Sequence, residues 1–207
     1  ETAYTCSPYG TLSANFGQTT YQWDEMADTL QESNTAVATL VYHCGISVRM
    51  KYSSNGSGAY SQDVPEALQQ YFYYPAACYV RRANYDNQQW QRIIRNNLNQ
   101  QHPVYYAGAS SLGGHAFVCD GYDGNGMFHF NFGWDGVADG YYTLDSPYGF
   151  SDNQSIVHNI IPIDNIPIHS DSHGIIYVAP DGIGDGSSWE QATSGLQLAI
   201  LKSTIDG

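Results

Sequence analysis

Between Pro103 and Ile163 the chain repeats one pattern, and few architectures accept it. Val104–Ala107, His115–Tyr122, Met127–Phe132, Tyr141–Leu144 and Ile156–Ile163 are aromatic or β-branched runs of strand length. Asp123-Gly124-Asn125-Gly126, Asp135-Gly136 and Asp139-Gly140 lie between them and supply the left-handed backbone positions that tight hairpins need. Turns this short join antiparallel neighbours, so this half reads as an antiparallel sheet. Ahead of it the hydrophobic period is helical. Val37, Leu40, Val41 and Cys44 recur at i, i+3, i+4 and i+7, with Asn34 as N-cap and Gly45 as the expected stop. Pro65–Phe72 opens with Pro after Asp63, and Asn87–Leu98 sets Trp90, Ile93, Ile94 and Leu98 on one face ahead of Pro103. Helices first and an antiparallel sheet after imply an α+β domain.

The charge narrows the partners. Twenty acidic against seven basic residues give a net charge of -13, the wrong sign for neutralising phosphates, which argues against nucleic acid and anionic membranes. With 42% hydrophobic and only 13% charged residues the chain is not a disordered tail, and it contains no run of ~18 apolar residues that would span a bilayer. It opens at Glu1, has its first methionine at Met26 and carries no charged-then-apolar leader, which reads as a fragment or a processed product. Composition shifts near Ile168. Residues 1–167 are expected to form one domain and 168–174 a linker rich in turn formers. Residues 175–207 then begin a second domain, with a strand at Ile175–Val178 and a helix carrying Ala192, Leu196 and Leu198 behind a Ser188/Gln191 capping box. This tail resembles the opening coil of right-handed parallel β-helix domains of bacterial surface proteins.

The densest chemical signal is Gly113-Gly114-His115-Ala116-Phe117-Val118-Cys119-Asp120-Gly121, followed by Phe128-His129-Phe130-Asn131-Phe132-Gly133-Trp134. A histidine entering a strand through two glycines presents its ring at a sheet rim where another backbone can approach. Asn131 on the next strand is placed to hydrogen-bond that ring, and Trp134 to shield the pair from water, as the base half of a Cys-His-Asn nucleophilic site. On pattern alone the plainer reading, a satisfied sheet histidine and a turn asparagine, is the commoner outcome.

The resemblance shifts that balance. GGHAFVCDGYDGNGMFHFNFGWDGVADGYYTLD is similar to the histidine-and-asparagine half of the streptopain family of papain-like cysteine peptidases, whose pattern runs GGHAFV-DG, a hairpin, HVNWGWGG and DGY. FGQTTYQWDEM, CGISVRM, YSSNGSGAYS, PVYYAG and QSIVHNIIP follow the family's order, so the similarity covers Tyr4 to Asp164. It implies the papain-like fold, truncated at its N-terminus, and cysteine-type endopeptidase activity through an acyl-enzyme. It also implies polypeptide substrates, an upstream prosegment as partner, a secreted or cell-surface protein, and no cofactor or metal. Residue by residue, His115 matches the base, Asn131 the residue that orients it, and Trp134 the retained shielding aromatic, while Gly114 and Ser57 match substrate-contacting positions. Phe132 stands where the family has Trp, so an indole N–H is lost. The family's nucleophile lies in a T-G-C-V-A-type helix start ahead of the region matching Tyr4, and its oxyanion-hole glutamine is also upstream. Neither segment occurs in these 207 residues, so the chain is expected to supply the His/Asn half and to be inactive alone.

The four cysteines do not replace that nucleophile. Cys119 lies four strand residues from His115, ~13 Å away, beyond hydrogen-bond reach. Cys44 is expected in the core at a helix C-terminus, where the dipole opposes a thiolate. Cys6 lies at a frayed start and Cys78 in an irregular segment, and their spacing gives no zinc pattern, so free buried thiols are preferred to disulfides. His129 reads as a packed or solvent-facing strand residue, and His169 and His173 lie in the linker. Asp120–Gly126 fails the EF-hand pattern and reads as a hairpin turn. The competing function is a non-catalytic adhesion or carbohydrate-binding module, supported by the 18 tyrosines and the β-helix-like tail.

Overall fold

The computed structural model describes residues 2–111, 113–162, 168–179, 184–193, 196, 199–200 and 202–203. The chain forms two compact units, Glu1–Ala67 and Leu68–Gly207. The boundary expected near Ile168 falls beside residues 163–167, which lie outside the described residues, as does Leu198 of the expected tail helix.

The first unit opens with a hairpin, β1 (Thr2–Cys6) and β2 (Gly10–Ala14), in register from Thr2↔Ala14 to Cys6↔Gly10. Cys6 is thus a buried strand residue and not a frayed end. Helix α1 (Thr35–Ser47) starts where expected: Asn34 is extended and its side chain accepts the Val37 N–H at 3.0 Å. It does not stop at Gly45. The helix continues through that residue because a Cβ there would collide with the Tyr52 hydroxyl, so glycine permits a close approach inside the helix. The buried positions of α1 are His43, Gly45 and Ile46, while Val41 and Cys44 are exposed, so the apolar face is rotated from the expected one. Tyr21 and the half-turns before α1 flank His43, whose Nδ1 lies 3.0 Å from the Tyr21 hydroxyl. Helix α2 (Val64–Tyr71) carries Pro65 in its first turn, the one place where the missing N–H costs nothing.

The second unit is built on one antiparallel sheet. Its strands are β3 (Cys78–Arg81), β4 (Val104–Ser110), β5 (Gly113–Tyr122), β6 (Phe128–Asn131), β7 (Gly140–Tyr142) and β8 (Asp152–His158), in the order β3-β8-β4-β5-β6-β7. Helix α3 (Asn87–Asn99) is fixed at its start by a reciprocal capping box between Asp86 and Gln89. Its buried Trp90 and Ile94 join Val104, Tyr106, Phe117, Cys119, Phe128, Phe130, Phe132, Leu144, Phe150 and Ile156 in a single core. Under it, the Trp90 indole N–H donates to the Tyr106 hydroxyl at 3.2 Å and that hydroxyl donates to the Leu144 carbonyl at 3.1 Å, so both of these buried polar groups are satisfied. Helices early in the chain and an antiparallel sheet after them make the α+β class expected from the sequence. No helix among the described residues is long and apolar enough to cross a membrane.

Beyond the sheet, Ile161, Ile168 and Ala199 form a separate small cluster with Ile176 and Val178. Of the expected strand Ile175–Val178 only Val178 pairs, bridging Thr193 in parallel, and Ser188 Oγ accepts the Gln191 N–H at 3.2 Å within a turn that does not open the expected helix, since Ala192 and Thr193 are not helical.

Candidate active site

The β5–β6 hairpin places the histidine. Its turn is closed by Asp123, whose Oδ1 accepts the N–H groups of Asn125 at 2.9 Å and Met127 at 2.8 Å. Those bonds hold the Asp123 carboxyl below its ordinary range, with the Met127 N–H the largest cause. The segment is therefore the hairpin turn expected of it. One residue further into the sheet the register shifts between Cys119 and Gly121, leaving Asp120 as the extra residue on β5. Beyond that bulge Cys119 faces Phe130 and Val118 faces Asn131.

That register decides which residues meet. Continued three residues along, it sets His115 opposite Trp134 and places Asn131 with Val118 on the other face of the sheet. His115 and Trp134 indeed stack, with ring centroids 4.6 Å apart and planes inclined by 21°. The His115 Nε2 lies 2.8 Å from the Phe132 carbonyl oxygen. A carbonyl only accepts, so the bonded nitrogen carries the proton and Nδ1 holds the lone pair. Asn131 makes no bond to the ring. Its Oδ1 accepts the Gly133 N–H at 2.8 Å, and the expected ring-to-amide contact is replaced by a ring-to-backbone one because the amide lies on the opposite face.

The imidazole is boxed by aromatics. Phe150 stands 5.5 Å from it, Phe117 5.9 Å and Phe132 6.5 Å, all centroid to centroid. Gly108 of β4 faces His115 across the ladder, and a Cβ on it would sit 3.0 Å from the Phe150 carbonyl oxygen and 3.1 Å from its Cβ. Glycine at 108 is thus what lets Phe150 reach the ring. The buried Gln154 amide holds the Phe150 segment by donating to the Phe150 carbonyl at 2.8 Å and the Leu144 carbonyl at 2.9 Å. Phe132 itself is buried among Phe117, Trp134, Tyr142, Tyr148 and Phe150, a setting with ring partners in place of the lost indole donor.

Gly114 is exposed beside the base, and a Cβ there would meet nothing nearer than the Gly108 carbonyl oxygen at 3.8 Å. Nothing among the described residues demands glycine at that position. Ser57 belongs to the first unit, in the exposed loop closed by the Lys51↔Gly58 bridge, where Gly56 takes φ 128°. Cys119 is fully buried and its thiol is pushed far up, by burial first and then by the charge of Asp120. Cys44 and Cys78 are exposed, not core residues, and burial of the sulfur region raises both thiols. All four are free, and no group of three metal-ligating side chains occurs among the described residues. His129 lies on the outer face with Nδ1 2.6 Å from Asp120 Oδ1.

The profile of the Peptidase C10 family matches residues 1–142, more than half of the chain. The chain belongs to the Peptidase C10 family. Among curated C10 relatives it is 37% identical to the thiol protease/hemagglutinin PrtT of Porphyromonas gingivalis over 170 residues, which cover 74% of this chain and 20% of that protein. It is 39% identical to streptopain of Streptococcus pyogenes over 132 residues, 61% of this chain and 33% of that protein. The chain therefore spans between a fifth and a third of the curated relatives it matches. Among solved structures, the active wild-type interpain A cysteine protease of Prevotella intermedia is 40% identical with a TM-score of 0.70, over 76% of this chain and 72% of that one. A prointerpain A fragment from the same organism is 39% identical with a TM-score of 0.67, over 77% and 56%. The resemblance to the streptopain family and to the papain-like fold is borne out by these matches.

Sequence reasoning missed three contacts around His115: the Phe132 carbonyl, the Gly108–Phe150 contact, and the clamp that Asp139 places on Phe132, whose N–H it accepts at 2.8 Å. None of the three has a signature in the sequence, and the placing of His115 opposite 134 follows only from the folded register, in which the Asp120 bulge shifts a ladder that begins at Tyr122↔Phe128.

Proposed function

We propose that this chain is the base-bearing part of a cysteine-type endopeptidase. The observation that carries the reading is the bond from His115 Nε2–H to the Phe132 carbonyl beneath the Trp134 ring, which leaves Nδ1 as the basic nitrogen. A thiolate from a segment ahead of Tyr4 attacks the substrate carbonyl, with His115 Nδ1 taking the thiol proton and sharing an ion pair with the sulfur. The imidazolium then gives that proton to the leaving amine, forming the acyl-enzyme, and the neutral ring next takes a proton from water for deacylation. Trp134 keeps water off one face of the ring. Asn131 orients the base through the backbone: the Gly133 N–H it accepts belongs to the peptide unit whose carbonyl accepts from His115.

Gly114 and Ser57 serve the substrate, Gly114 by leaving room for an extended polypeptide beside the base. The protein works secreted or at the cell surface, with a prosegment as its first partner, and residues 175–207 begin a second domain. The test is peptide hydrolysis by the product of the full coding region: it is expected to be abolished by His115→Ala and by a thiol-alkylating reagent. Activity untouched by His115→Ala would sink the reading. The second reading, an adhesion or carbohydrate-binding module, is favoured by exposed Tyr60, Tyr73, Tyr141 and Tyr148 and by the hemagglutinin in the name of one relative. Glycan binding without His115-dependent hydrolysis would establish it instead.

A further inference from the structure

Phe132 is held by both of its backbone polar groups. Its carbonyl accepts from His115 Nε2–H at 2.8 Å, and its N–H donates to Asp139 Oδ1 at the same distance. The next N–H, that of Gly133, donates to Asn131 Oδ1. Both peptide units that meet at the Phe132 Cα are therefore pinned by side-chain oxygens, and the buried ring fixes the Cα between them. A carbonyl direction depends on the dihedrals of its own residue, so fixing the two flanking N–H groups fixes where the Phe132 oxygen points.

We propose that Asp139 is a positioning residue for the base: by accepting the Phe132 N–H it aims the carbonyl that holds His115 in its Nε2–H form. Asp139 is suited to this. It closes a loop braced by Val137 N–H to Trp134 carbonyl at 3.0 Å and by its own N–H to the Gly136 carbonyl at 3.3 Å. It stands immediately before β7, whose Gly140 pairs with Phe130, so its carboxylate reaches Phe132 from a strand neighbour and not from a free tip. Its carboxylate oxygen accepts the Phe132 N–H at 2.8 Å, as close as the Asn131 amide oxygen holds the Gly133 N–H. Asp135, four residues earlier in the same loop, makes no hydrogen bond among the described residues and serves as the control.

The inference rests on His115 being the base, but its first readout does not need activity. In the 15N-labelled chain, at a pH where the imidazoles are neutral, long-range proton–nitrogen spectra report the tautomer of each ring. His115 is expected to be an Nε2–H tautomer in the wild type, to become a mixture with Nδ1–H in Asp139→Ala, and to return to Nε2–H in Asp139→Asn, which keeps an acceptor oxygen. The His129 signal is the fold control and should stay in place. Should Asp139→Ala lose the fold, Asp139→Ser, whose hydroxyl is too short to span the gap, takes its place. In the product of the full coding region, Asp139→Ala should lower kcat by about 10- to 100-fold with KM nearly constant, while Asp135→Asn matches wild type. A His115 tautomer unmoved in both the Ala and Ser variants would overturn the proposal. Absence of hydrolysis in the unmutated product would remove the peptidase reading and leave the tautomer result to judge Asp139.

Discussion

Two faces of one hairpin treat the same residue type in opposite ways. On the inner face His115 lies under Trp134, against Phe150 and Phe117, with one nitrogen committed to a backbone carbonyl. On the outer face His129 pairs with Asp120 and stands edge-on to the exposed Tyr141, 5.1 Å away. The sequence around His129 is the more aromatic of the two, with Phe128, Phe130 and Phe132 against Phe117 near His115, so local composition points to the wrong ring. Strand parity distinguishes them: a side chain's face is set by its count from the turn, and one bulged residue resets that count. The inner ring gains a fixed tautomer and a hydrophobic wall. The outer one gains a half-exposed hydrogen-bonded pair worth little to stability.

The sharpest way to break this comparison is to remove each ring in turn. His115→Ala is expected to cut peptide hydrolysis by the full product by about 10⁴-fold or more, whereas His129→Ala should change it by less than about twofold. Comparable losses from the two variants would show that the faces are not functionally distinct. Stability should invert the emphasis on histidine. Phe130, the fully buried residue next to His129, contacts Tyr106 and Phe117 edge-on, and Phe130→Ala is expected to cost about 3–5 kcal/mol in denaturant titration. Asp120→Ala on the outer face should cost less than about 1 kcal/mol. A small loss at Phe130 would mean that the core is not the scaffold of the base.

What was legible in the sequence follows the range of each interaction. The start of α1 was legible because its cap is local: Asn34 acts within three residues, whereas α3 was placed by its apolar face and its equally local Asp86–Gln89 box went unread. The phase of α1 was not, since the face it buries is chosen by neighbours outside the helix, and Gly45 is explained only by Tyr52. The five strands after Pro103 announced themselves through Gly and Asp turns, whereas β3, four residues at a sheet edge, forms only because β8 arrives more than seventy residues later. At the site, His115 and Trp134 were readable from motif and spacing. The Phe132 carbonyl was hidden because a backbone acceptor has no side-chain signature, and Gly108 and Phe150 because they join only through the folded β4–β8 pairing.

Gly108 offers a finer way to sharpen the contrast. A methyl group there must displace Phe150, held by Gln154 on its far side, so Gly108→Ala is expected to destabilise by about 1–3 kcal/mol through overpacking. Because Phe150 touches the inner ring, hydrolysis should fall with it while the His129–Asp120 pair is unmoved. Adding Phe150→Leu, which frees space, should recover part of the stability but not the activity. Recovery of both would mean that Phe150 fills volume without positioning the ring. Gly114→Ala, with open space around its Cβ, should leave stability within about 0.5 kcal/mol and raise KM, which separates a glycine kept for the substrate from one kept for packing.

The smallest effect concerns a third histidine of the sheet, one with neither partner. His158 ends β8 opposite Cys78, its Nδ1 is buried without a hydrogen bond, and burial pushes its pKa below the usual 6.5, with Asn159 pulling slightly the other way. A base whose folded pKa is depressed binds protons more readily when unfolded, so its contribution is complete above about pH 6.5 and is lost as pH falls through that value toward the folded pKa. His43, lowered by burial as well, adds in the same direction. Thermal unfolding should therefore shift to lower temperature between pH 7.5 and 5, and His158→Gln should flatten that slope. A slope unchanged by the substitution would place the acid sensitivity elsewhere. Placed beside its neighbours, His158 completes the comparison: ring placement within one sheet decides whether a histidine serves chemistry, a surface pair, or only the pH range in which the fold holds.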